Sequence, residues 1–243
     1  MTASRRTCLF WEGMKSERTE WIRRLLHSIK NLAPIRRAAT CLIGIEAAWF
    51  DLTRNVQTSG IAFLNELTLV GKQIGYGYIA TRPSVARRVL RDLDLPDAST
   101  FTFIDCGSGM GRMLFLAAEY PFCEIHGVEF SKELHAKAEQ NIAAVRASRL
   151  KCSRIESHLM EVTDYTFPPG NLVVYFFNPF GPEVMEPILD QLESALEARP
   201  RDVRIVLVFP SCAFLMDGRK HFSLQKQSGC YIIYRSVQLS AIR

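Results

Sequence analysis

The sequence predicts an α/β protein whose doubly wound, mostly parallel sheet ends in an antiparallel C-terminal hairpin. From about residue 82 onward, short continuous apolar runs alternate with amphipathic helical segments, the pattern of parallel strands covered on both faces. A glycine-rich turn joins one of these runs to the helix after it. Near the C-terminus two further runs flank Ser228-Gly229, the signal of a two-residue hairpin turn. A chain of 243 residues, 48% hydrophobic, supplies one well-buried core and suits one domain with an extension.

The extension is assigned to residues 1–50 and the domain to residues 51–243. Trp21, Leu25, Ile29 and Leu32 share one helical face, with Arg23, Arg24 and Lys30 off it, until Pro34 interrupts the pattern. Residues 1–40 carry nine Lys or Arg against three Glu, whereas the other 203 residues carry 21 basic and 22 acidic side chains. The formal charge of +5 therefore belongs to the N-terminal segment. That segment reads as a basic helix packing its apolar stripe on the domain, or as one touching an acidic partner or a membrane surface. The near-neutral body gives no support to a uniformly basic nucleic-acid surface, and a nucleic-acid partner stays open without being indicated.

No stretch reaches the roughly 20 apolar residues of a membrane-spanning helix, and charged residues interrupt any N-terminal apolar run. A cytoplasmic protein is expected. The seven cysteines are scattered without CxxC or zinc-ligand spacing, so free thiols and no structural metal are expected. His126, His135 and His158 fall on separate elements without shared spacing and read as structural.

In chain order, a helix enters through Pro83 and runs to Leu93, and Phe101–Asp105 forms a strand. A glycine turn leads into a helix over Arg112–Tyr120, followed by a strand at Glu124–Glu129 and a helix over Glu133–Val145. A weak strand lies around Ile155–Met160, and a strong one at Leu172–Phe177 precedes a helix over Glu183–Ala198. The strand Val203–Phe209 and the pair Phe222–Gln227 and Tyr231–Val237 complete the domain.

The chemistry centres on Asp105-Cys106-Gly107-Ser108-Gly109-Met110-Gly111. Glycines there let the backbone turn sharply and approach a ligand, and the helix beyond offers unpaired N–H groups. The spacing is GxGxG, and Arg112 stands where a dinucleotide fingerprint requires a small residue, which counts against a nicotinamide-dependent oxidoreductase. Glu129 closes the next strand, placed to accept hydrogen bonds from both ribose hydroxyls of a nucleoside ligand, or else to cap the following helix.

FIDCGSGMGRMLFLAAEY followed by IHGVEFSKELHAKAEQNI resembles motif I and its successor in the class I S-adenosylmethionine-dependent methyltransferases. The resemblance implies a seven-stranded sheet with a reversed final strand and S-adenosylmethionine as cofactor. Carried over, Asp105, Gly107, Gly109 and Gly111 would surround its methionine part, Glu129 would bind the ribose, and Phe130 would lie against the adenine. Glu161 aligns where the family has an acid for the adenine amino group, with Asp164 as competitor and Met160 in place of the usual glycine.

After the fourth strand comes Asn178-Pro179-Phe180-Gly181-Pro182, a stiff turn at the end of the sheet where ligands bind. The Asn178 oxygen and the Pro179 carbonyl can orient the N–H groups of an acceptor, and Phe180 can wall the pocket. Amino-directed methyltransferases carry Asn-Pro-Pro-Tyr or a variant there, and this chain is one proline short. FNPFGPEV, with GYGYIATRPS upstream, is similar to the non-SET histone-lysine methyltransferases. Within the latter segment Tyr78 is placed to close the site, its flanking glycines suiting a lid or a packed loop. The expected activity is methyl transfer to a nitrogen of protein lysine or glutamine, or of a small-molecule amine. An inactive cofactor-binding module acting through the N-terminal helix is the alternative.

Overall fold

A computed structural model of the chain describes residues 33–62, 78–152 and 154–237. The apolar stripe from Trp21 to Leu32 and the lid residues Gly75, Tyr76 and Gly77 lie outside them. The chain divides into two compact units, Met1–Glu46 and Ala47–Arg243.

In the first unit the described residues are helical. Helix α1, Ala33–Arg54, begins there and ends in the second unit. Pro34 stands within this helix as described, and the apolar pattern it was expected to interrupt lies outside the described residues.

The second unit holds a two-stranded antiparallel sheet of β1 (Ile61–Ala62) and β2 (Tyr78–Ile79), then α2 (Pro83–Asp92). The main sheet is built from β3 (Phe101–Cys106), β4 (Glu124–Glu129), β5 (Ile155–Leu159), β6 (Asn171–Phe177), β7 (Val203–Val208), β8 (Phe222–Gln227) and β9 (Tyr231–Ser236). Helices α3 (Arg112–Ala117), α4 (Lys132–Ala144) and α5 (Pro182–Ala198) cover it. The strand order is β5-β4-β3-β6-β7-β9-β8, parallel from β5 to β7, with β9 antiparallel to both its neighbours. The expected seven strands and reversed C-terminal hairpin are present. The order reverses between β3 and its neighbours β4 and β6, which opens a crevice at the carboxyl ends of these strands.

Alternation along β3 divides the core. Phe101 and Phe103 pack on one side with Val89, Leu114 and Phe115, whereas Ile104 and Cys106 pack on the other with Ile188 and Leu192. Phe50, from the last turns of α1, belongs to the first of these clusters.

Most boundaries fall within a residue of the sequence expectation, and three differences have a visible cause. Helix α3 stops at Ala117, and Tyr120 N–H turns back to the Ala117 carbonyl. Strand β7 stops at Val208, because Phe209 adopts φ +49°, outside the extended region. The hairpin loop sits one residue later than Ser228-Gly229, since the Ser228 N–H still pairs with the Tyr231 carbonyl. The cysteines among the described residues are free, and no described helix is long and apolar enough to cross a membrane.

Candidate active site

The crevice holds a cavity of about 350 Å³, within the range of small-ligand sites. Of the residues singled out from sequence, Tyr78, Asp105, Gly107, Glu129, Phe130, Asn178, Pro179 and Phe180 line it. Gly109 and Gly111 shape the turn beneath it without lining it. Glu161, in the connection after β5, stands outside the lining, as does Asp164.

The turn between β3 and α3 is fixed by its backbone. Gly107 and Ser108 N–H both donate to the Val128 carbonyl, at 2.8 and 3.2 Å, and stitch the turn to β4. Gly107 has φ +85°, and a Cβ there would meet the Pro179 ring at 2.8 Å. Gly109 has φ +56°, and a Cβ would come within 2.1 Å of the Tyr78 ring. Only glycine permits both the left-handed conformation and these approaches.

Glu129 is 3% exposed. One carboxylate oxygen accepts from Gly109 N–H at 2.7 Å and the other from Ser131 N–H at 2.8 Å. Ser131, not Glu129, caps α4, its hydroxyl accepting from Leu134 N–H. A carboxylate has about four acceptor positions, so Glu129 keeps capacity for a ligand. Burial raises its proton affinity, opposed by the N–H groups of Ser131, Gly109 and Phe130. Asp105 is 3% exposed, and burial, with the Glu129 charge added, pushes its carboxyl up to about 8. Two buried acids thus share one small cavity.

Tyr78 is held down from its far end. Its hydroxyl donates to the Thr58 carbonyl at 2.7 Å, and burial raises its pKa. Thr58 belongs to a polar cluster that no local sequence pattern marks. Asp51 accepts from the Thr58 and Ser59 N–H groups, and the buried Arg112 donates to both hydroxyls at 2.7 Å. Arg112, read from sequence only as an obstacle to a dinucleotide, therefore ties the segment after α1 to the glycine turn. The partners lie more than 50 residues apart.

On the opposite wall Asn178 adopts φ +44° directly before Pro179. The Asn178 Oδ1 accepts from the Ser211 hydroxyl, which leaves one further lone pair on that oxygen. Phe180 is 2% exposed and belongs to the core, yet it also lines the cavity. Phe177 and Phe209, which sequence reasoning missed as lining, meet edge to face with centroids 5.4 Å apart. Ser108 also lines the cavity, but its buried hydroxyl, which has no hydrogen-bond partner, is turned toward β4, where a Cβ on Gly127 would come within 2.7 Å of it.

No family model matches the chain, and no curated protein matches it. Solved structures do. One is described as a predicted N6-adenine-specific DNA methylase from Listeria monocytogenes, at 14% identity and TM-score 0.49, covering 66% of this chain and 52% of that one. An RNA methyltransferase from Salinibacter ruber in complex with S-adenosyl-L-homocysteine matches at 18% identity and TM-score 0.43, over 65% of this chain and 92% of its own. A ribosomal protein L11 methylase from Lactobacillus delbrueckii matches at 14% identity and TM-score 0.47, over 66% and 80%. The chain spans about half the length of the first of these. The strand order, with seven strands and a reversed β9, is the arrangement that the sequence resemblance implied.

Proposed function

We propose that the chain transfers a methyl group from S-adenosylmethionine to a nitrogen acceptor, a protein lysine or glutamine or a small-molecule amine. One observation carries this reading. The crevice sets two buried acids and a glycine turn across a cavity from Asn178-Pro179, so a cationic nucleoside donor and an N–H acceptor fit face to face. The buried Glu129 lines the cavity and keeps acceptor capacity beyond its two backbone N–H partners, which fits a cofactor bearing hydroxyl groups.

When bound, S-adenosylmethionine supplies an activated methyl group on a positively charged sulfur. The protein's part is to bind, orient and keep water out. Glu129 accepts from the ribose hydroxyls, and Phe130 lies against the adenine. Asp105 and the backbone of Gly107, Gly109 and Gly111 surround the methionine part, and Tyr78 closes over them. Glu161 would reach the adenine amino group only from outside the present lining. On the acceptor side, the Asn178 oxygen and the Pro179 carbonyl accept from the acceptor's N–H groups and aim its lone pair, a matter of positioning without a nucleophilic side chain. Phe180 walls the cavity beside them.

Calorimetry with S-adenosylmethionine and its demethylated product is the first test, with micromolar binding expected and about tenfold weakening in Glu129→Gln. Labelled methyl transfer into protein, small-amine and nucleic-acid pools is the second. Asn178→Ala should keep cofactor affinity and lose at least a hundredfold in transfer. Failure of the folded protein to bind the cofactor would overturn the reading. Methyl groups recovered on carbon or oxygen would overturn the choice of nitrogen, and tight binding without transfer would favour the non-catalytic module.

A further inference from the structure

Away from the crevice, the edge of the sheet brings together three side chains that the sequence left on separate elements. His126 on β4 is the register partner of Glu156 on β5, and His158 stands two residues further along the same strand. Strand alternation therefore puts all three on one face. Each offers one ligand atom within 4.8 Å of the other two. The His158 Nε2 is buried and has no hydrogen-bond partner, and the nearest Glu156 oxygen lies 3.7 Å away. That gap is too long for a hydrogen bond. It is close to the separation of about 3.4 Å that two ligands adopt around one tetrahedral ion at zinc–nitrogen and zinc–oxygen bond lengths.

We propose that His126, Glu156 and His158 bind one divalent cation of the zinc class, with water at the fourth position. Two imidazoles and one carboxylate are borderline donors suited to zinc and its neighbours, and poorly suited to calcium or magnesium. The surroundings supply the orientation that metal-binding histidines need. The two ring nitrogens of His126 are engaged by the Tyr165 hydroxyl and by Glu124, and Glu124 is held in turn by Arg154 at 2.7 Å. The ion displaces one partner of His126, and the other stays to fix the ring. The rings of His126 and His158 already stand edge to face, with centroids 5.2 Å apart. Such an ion ties the edge strand β5 to β4.

The test uses the tag-free full chain, stripped of metal by chelation. Titration with zinc chloride in a calorimeter should show one equivalent bound with a dissociation constant of micromolar or below, and a melting temperature raised by several degrees. His158→Ala and Glu156→Gln should each weaken binding at least tenfold and remove the thermal gain. Both positions are partly exposed, so both variants should melt where the metal-free wild type does. Cobalt(II) in place of zinc should give tetrahedral visible absorption without a sulfur-to-metal charge-transfer band. Absence of binding at 100 μM zinc, binding unchanged in both variants, or a thiolate band placing the ion on cysteine would each overturn the proposal.

Discussion

At the carboxyl ends of β6 and β7, two adjacent parallel strands finish alike, with a non-glycine residue in the left-handed region followed by proline. These are Asn178 at φ +44° and Phe209 at φ +49°. Beside them, at the ends of β3 and β4, Asp105 and Glu129 are buried with their proton affinities raised. The amino end of β7 is built differently. Arg204 is 1% exposed, yet its guanidinium bonds Asp202 at 2.7 and 3.1 Å, the Leu93 carbonyl at 3.2 Å and the Gln225 side chain. One end carries strained backbone and buried acids, the other a buried charge with its partners supplied. Strain of this kind costs roughly 1–3 kcal/mol per residue and is retained where the surrounding structure over-determines it. The comparison separates an end shaped for a ligand from an end shaped for stability.

The largest effect is expected at the stable end. Asp202→Ala leaves the buried Arg204 guanidinium without its carboxylate and should cost about 3–5 kcal/mol in urea unfolding, with cofactor affinity unchanged. A matching loss of affinity would break the comparison, because it would mean that the two ends are not independent.

Next comes Gly109→Val, which puts a Cβ into the Tyr78 ring at a left-handed position. It should weaken binding of S-adenosylmethionine at least a hundredfold, about 2.7 kcal/mol, by calorimetry. Retained affinity would show that the turn does not support the ligand.

The third effect is a slope with pH. Asp105 has a folded-state pKa of about 8, above the ordinary value near 4 of the unfolded chain. Between these values the folded state holds a proton that the unfolded state has released, so stability falls as pH rises through that window. The melting temperature of the cofactor-free protein should decline from pH 5 to pH 8, and Asp105→Asn should flatten the decline. An unchanged slope in the variant would remove Asp105 as its source.

Much of this was legible in the residues. The runs FTFID and LVVYFF were readable as strands because parallel strands buried on both faces are apolar nearly throughout. Glycine spacing placed the turn, since conformational freedom is a property of the residue itself. The two-turn extension of α1 into the domain was not legible, because Phe50 and Asp51 acquire meaning only through the core cluster that holds Leu114 and through Arg112, far along the chain. The engagement of Glu129 by Gly109, and of Asn178 by Ser211, was hidden for the same reason.

The sequence by itself determined the α/β class, the glycine turn and the acid that follows it, since periodicity and backbone freedom are local. Only the tertiary structure decided that Arg112 anchors the segment beneath Tyr78, that Glu161 stands outside the cavity, and that His126 meets Glu156 and His158. Those contacts depend on register between strands and on packing across dozens of residues, and no local pattern encodes either.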